Sequence, residues 1–168
     1  MIFALRLVHI LAGTFWVGAL VFVAGFLMPA VRASGPAGGA VMGQLIQARK
    51  LPQFMMAAGI LTLLSGFGLF YVLAGSMGFQ WFTAGPGRAI GVGAILTLVA
   101  MALGLAVNMP TARRLANIAA DLQRAGRPPT PDESAHVQAL QARLNGAAGA
   151  AATLLVLAAA CMAVARYL

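Results

Sequence analysis

His9 is an ionisable side chain set inside an apolar run, Leu7-Val8-His9-Ile10-Leu11-Ala12-Gly13-Thr14-Phe15-Trp16-Val17-Gly18-Ala19-Leu20. A polar group in hydrocarbon is costly unless a partner satisfies it, so this histidine needs an explanation. On a helix it shares a face with Gly13 and Trp16, at i+4 and i+7, and Arg6 lies one turn before it. Two chemistries fit that arrangement. In the first, His9 is an axial ligand to haem b or a ligand to copper. Gly13 then leaves space for a flat ring, and Arg6 pairs with a propionate. In the second, His9 hydrogen-bonds to a neighbouring helix while Arg6 snorkels to the membrane interface.

No second ligand accompanies His9. The other histidine, His136, sits in a polar connection at the opposite end of the expected fold, so the two cannot share one metal. Met55, Met56, Met101 and Met162 fall in apolar runs. Thioethers suit copper(I) or a sixth haem position, but methionine is also an ordinary core filler. The three carboxylates, Asp121, Asp132 and Glu133, are all outside the apolar runs. Proton relays and ion-coupled transporters normally carry such groups in the membrane, which argues against a pump. Asn108 and Thr62 are polar groups for which interhelical hydrogen bonds suffice. Cys161 is a single thiol in an apolar segment and reads as a small hydrophobe. No phosphate loop, zinc spacing or nucleophile constellation is present.

These residues must be positioned by membrane helices. Of 168 residues, 61% are hydrophobic and 8% charged, and mean hydropathy is +0.91. That much apolar surface exceeds what a water-soluble chain of this length can hide. Four runs are long enough to span a bilayer, at roughly 2–28, 51–73, 89–107 and 146–165. The first is expected to end at Pro29, and the second to begin near Pro52. The first run is too long for the apolar part of a signal peptide and reads as a retained span. The expectation is an all-α, integral membrane four-helix bundle forming a single domain. Its recurrent glycines should allow close helix approach, leaving little room for a wide pore.

The net charge of +8 follows topology rather than a nucleic-acid patch. The first and third connections hold Arg32, Arg49, Lys50, Arg113, Arg114, Arg124, Arg127 and Arg143, against Arg6, Arg88 and Arg166 on the other side. The positive-inside rule therefore places both basic connections in the cytoplasm and both termini in the periplasm. The stretch Gly35 to Gly39 is expected to open as a flexible loop. Val41, Leu45 and Ile46 then suggest a surface helix that brings Arg49 and Lys50 near anionic headgroups. Phe79, Trp81 and Phe82 read as an interfacial belt, with ligand entry as the alternative.

Residues 110–145 should extend spans three and four into a cytoplasmic helical hairpin. Leu115, Ile118 and Leu122 lie on one face, Gly126 is a stop, and Thr130-Pro131-Asp132-Glu133 is a capping box. The hairpin sets the packing of the two spans, or offers a docking surface.

The segments Leu7-Val8-His9-Ile10 and Phe15-Trp16-Val17-Gly18, with the ending Met162-Ala163-Val164-Ala165-Arg166-Tyr167-Leu168, resemble small bacterial four-span membrane proteins of the copper-resistance protein D (CopD)-like group. The opening helix is also similar to that of HemJ-type proteins. The resemblance implies a bacterial inner-membrane location and a haem or copper role for His9, with Arg6, Gly13 and Trp16 around the cofactor.

Two functions follow from the sequence. The favoured one is a non-enzymatic subunit of a larger respiratory, photosynthetic or transport complex, embedded in the lipid bilayer and joined to a membrane-protein partner or to copies of itself. The other is a haem b- or copper-handling protein built on His9.

Overall fold

A computed structural model describes residues 1–83 and 85–168. Among the described residues four helices are long and apolar enough to cross a membrane, and we number them with one short helix between the first two. They are α1 (Ile2–Ala33), α3 (Leu51–Ala74), α4 (Pro86–Ala125) and α5 (Pro131–Tyr167), with α2 (Gly35–Gly43) as the short helix. The chain is an all-α four-helix bundle and a multi-pass membrane protein. α1 packs along α3, α4 packs along α5, and α1 also meets α5. Trp16, Ala58, Ala100, Ala151 and Leu155 form a core drawn from all four long helices, and Met101 packs against it.

Pro29 does not end α1, contrary to the expectation that the first span stops at Met28. The helix continues to Ala33 through a π turn at Val23–Leu27, where the Met28 N–H reaches back five residues to the Val23 carbonyl. Proline lacks an N–H and its ring crowds the carbonyl four residues before it. Widening the preceding turn relieves that clash and keeps the helix running. The same device recurs in α4, where the Met109 N–H bonds to the Gly104 carbonyl just before Pro110. Met-Pro follows a π turn in both helices. Spans one and three thus share a construction that the hydropathy pattern did not reveal.

The start of the first connection is also helical rather than a flexible loop. α2 begins directly after a turn at Ser34 and runs on through Gln44–Ala48. A Cβ on Gly38 would collide with the Val31 carbonyl, so the chain can fold back this tightly only with glycine there. Lys50 then adopts a left-handed conformation at φ 51°, and its carbonyl accepts the N–H groups of Gln53 and Phe54 as α3 begins.

Between α3 and α4, short 3₁₀ turns at Gly75–Thr83 carry an aromatic cluster. Phe70 of α3 stacks on Phe82 at 4.7 Å between ring centroids and meets Phe79 at 5.6 Å. Phe82 also covers Gly91 of α4.

α4 and α5 run past the apolar core as a helical pair. Gly126 closes α4 in the left-handed conformation, its N–H shared by the Leu122 and Gln123 carbonyls. Thr130 caps α5 by accepting the Glu133 N–H, and Glu133 answers by accepting the Thr130 N–H at 2.8 Å. Arg127 donates to both carboxylate oxygens of Glu133, at 2.7 and 2.8 Å. Together these bonds hold the Glu133 carboxyl down at about 2, chiefly through Arg127 and then through the Thr130 N–H.

Candidate functional site

The seam between α1 and α3 is built from complementary side chains and gaps. Leu5 rests on Gly68, His9 on Gly66, and Trp16 on Gly59, so three α1 side chains fill notches left by α3 glycines. Between them the pattern reverses, and Thr62 of α3 fills the notch at Gly13. Hydrophobic driving force between helices is absent in lipid, so such close approach supplies the attraction.

His9 is half-buried in this seam. A Cβ at position 66 would lie 3.0 Å from its Cε1 and 3.3 Å from its Nδ1, so the imidazole occupies the space that glycine leaves open. Nδ1 lies 2.9 Å from the Thr62 carbonyl oxygen and 3.3 Å from Ser65 Oγ. A carbonyl can only accept, so Nδ1 carries the proton. It donates to the Thr62 carbonyl, with the Ser65 hydroxyl oxygen as a second acceptor.

Ser65 in turn donates to the Leu61 carbonyl at 2.5 Å, and the Thr62 hydroxyl donates to the Ala58 carbonyl at 2.7 Å. His9 Nδ1 and the Thr62 and Ser65 hydroxyls are therefore satisfied by α3 backbone or by one another. The remaining ring nitrogen, Nε2, has no hydrogen-bond partner among the described residues.

The sequence-derived residues fall into place unevenly. His9, Gly13 and Trp16 do line one face of α1, and that face meets α3. The space beside Gly13 holds the Thr62 methyl, 3.5 Å from where a Cβ would sit. Arg6 is exposed and forms no ion pair among the described residues. Trp16 is buried in the four-helix core. Thr62, Ser65 and Gly66 were not singled out as partners of His9. Their signal was present as a small, hydroxyl-bearing stretch in the second span, but which residue of one span faces which of another depends on register, which helical spacing does not encode.

The donor set bears directly on the cofactor chemistry. Among the described residues no group of three or more histidine, cysteine, aspartate or glutamate side chains could hold a metal ion. Cys161 lies at the other seam, in a groove with Arg88, Ala89 and Val92, and His136 is exposed on the hairpin. His9 thus offers one nitrogen, enough for a single axial position. An Nδ1–H bonded to a carbonyl is the usual way a ligating histidine is oriented, and equally the way a packing histidine is satisfied. No family model matches the chain, and neither a curated protein nor a solved structure is found similar to it.

Proposed function

We propose that the protein is a non-enzymatic subunit of a larger membrane assembly, in which α1 meets a partner helix. The observation carrying this reading is the sparse cover on α1. Only 6% of its apolar window is buried within the chain, against 17–22% for the other three spans. Its uncovered face is not smooth. Gly18 and Gly25 have nothing within 4 Å of a Cβ position, and Phe15, Phe22 and Phe26 project beside them. Beside Gly25, a groove of about 390 Å³ runs between α1 and α5, lined by Val21, Gly149, Thr153 and Val156. Small residues with flanking aromatics are what a packed helix requires of its neighbour in lipid. On this reading His9 is a packing residue that fixes α1 against α3. Both basic connections face the cytoplasm of a bacterial inner membrane.

The test is purification from native membranes in a mild detergent. A stoichiometric partner, or a second copy, that Gly18→Leu/Gly25→Leu displaces supports the reading. Recovery of the unchanged monomer from both parent and variant would sink it.

A second reading has one observation in its favour, the unpartnered Nε2 of His9. On that reading, and on the resemblance to CopD-like and HemJ-type proteins, Nε2 takes an axial position on haem b or binds copper. An absorption spectrum separates the two. A Soret band lost in His9→Ala supports ligation, and a colourless, copper-free protein overturns it.

A further inference from the structure

Trp16, Gly59 and Met101 pack together, and Leu155 shares their core, so these residues mark one height in the bundle. Counting about 1.5 Å per residue from that mark toward the hairpin puts Lys50, at the start of α3, about 14 Å away, with Arg49 next to it across the left-handed turn, and Arg113, Arg114 and Arg143 about 18–20 Å away. With that mark at the middle of a bilayer, whose hydrocarbon half-thickness is about 15 Å, these cations stand at headgroup depth. All five are exposed, and none is ion-paired among the described residues. Arg32 lies a little further out, on the end of α1. In the other direction only Arg6, Arg88 and Arg166 reach the corresponding depth.

The chain's own carboxylates do not neutralise this belt. By the same count Asp121, Asp132 and Glu133 lie about 30–35 Å from the core mark, roughly a Debye length or more beyond the belt. Two of them are already engaged at the hairpin tip. Asp121 pairs with Arg124 at 2.6 Å and Glu133 with Arg127 at 2.7 Å. The tip therefore balances its charge internally, while the belt leaves five cations facing the depth where lipid phosphates lie.

We propose that this belt is a binding surface for the headgroups of anionic phospholipids. The cations come from three places, the residues just before α3 and the middles of α4 and α5, which suits several headgroups around the bundle better than one soluble anion. Beside Arg49, the segment Gln44–Ala48 exposes Ile46, which can enter the acyl boundary next to a bound headgroup. The inference is independent of the proposed function, since it concerns lipid rather than a protein partner.

Native mass spectrometry of the purified full chain, titrated with phosphatidylglycerol or phosphatidylcholine, tests it. Phosphatidylglycerol should bind in preference to phosphatidylcholine. Arg113→Gln/Arg114→Gln should weaken its binding by about fivefold per cation removed. Arg124→Gln/Arg127→Gln removes the same charge from the tip and should leave binding unchanged, while Arg113→Lys/Arg114→Lys should retain it. Circular dichroism checks that each variant is folded. If the glutamine pair does not fold, raising the salt with the parent protein substitutes, and binding should fall as the belt is screened. Equal losses in belt and tip variants, equal binding of both lipids, salt-insensitive binding, or inorganic phosphate competing at concentrations matching the lipid's would each overturn the proposal.

Discussion

The two helix pairs are joined by different means. The α1/α3 seam is pinned by a polar contact, the His9 ring seated over Gly66 and bonded to the Thr62 carbonyl. Among the described residues the α4/α5 seam has no such pin. Of its buried hydroxyls, Thr97 and Thr111, Thr97 donates to the Gly93 carbonyl of its own helix at 2.8 Å. Contact there comes from Gly93 against the Ala158 backbone and Met162, and from buried Ala100, Ala151, Leu155 and Ala158. A smooth seam of small residues attracts strongly but specifies register weakly. A donor that must find one carbonyl specifies register at modest gain in stability. The smooth seam is also the one that continues into a hairpin, whose short turn, closed by Gly126 and by the Arg127–Glu133 pair, fixes which residues face one another.

That contrast can be broken most sharply at Gly93. A Cβ there would meet the Ala158 carbonyl oxygen at 3.0 Å and Met162 Cγ at 3.0 Å, and the backbone partner cannot swing away. Gly93→Val should cost about 2–3 kcal/mol in unfolding by sodium dodecyl sulfate. Gly18→Val, on the open side of α1, should shift stability by less than about 0.5 kcal/mol in the monomer. Equal effects at the two sites would show that backbone proximity does not hold the α4/α5 seam.

A smaller loss is expected at the polar pin. Interhelical hydrogen bonds in membranes contribute about 0.6 kcal/mol on average and up to about 1.7. With the ring's contacts added, His9→Ala should cost about 1–2 kcal/mol. Its signature is coupling: Gly66→Ala should be harmful beside His9 and nearly neutral once the ring is gone. Additive effects would mean that the notch and the ring are unrelated.

At the hairpin, Thr130→Ala should destabilise the start of α5 by about 1 kcal/mol, seen as faster amide exchange at Glu133 and Ser134. The smallest effect is set by pH. The folded Glu133 carboxyl is held at about 2, below its ordinary 4.5. Its contribution is therefore complete above about 4.5 and is lost as pH falls toward 2. Protection of the tip amides should drop across that window, and Glu133→Gln should abolish the dependence. The Thr62–His9 seam contains no carboxylate, and its exchange should not follow the same curve.

Much of this was readable in the residues. Apolar run length gave four spans, and Thr130-Pro131-Asp132-Glu133 with Gly126 gave the hairpin's turn, because caps are local chemistry. The shared face of His9, Gly13 and Trp16 followed from helical periodicity. What Gly13 faces did not follow, since register between two helices depends on the whole seam. Pro29 misled for a definite reason. Proline disfavours a helical residue before it and so reads as a stop, whereas a preceding π turn relieves the crowding, and the matching Met109-Pro110 in α4 is the available hint. Gly35 and Gly39 suggested flexibility, but the tight fold-back at Gly38 uses glycine for space instead.

A π turn is a one-residue insertion that a helix has accommodated without passing it on. Every helical residue advances the azimuth by about 100°, so an extra residue elsewhere in α1 would rotate all that follows. The turns at Val23–Leu27 and Gly104–Asn108 are therefore the places where spans one and three can change length. Deleting one residue there, with Pro29 or Pro110 replaced by alanine, leaves the phase of His9, Gly13 and Trp16 unchanged against α3. Deleting Ala12 turns His9 out of its notch while sparing Trp16. Length variation inside spans one and three is then confined to two short windows, and the part of α1 from His9 to Trp16 behaves as a fixed reading frame in three dimensions.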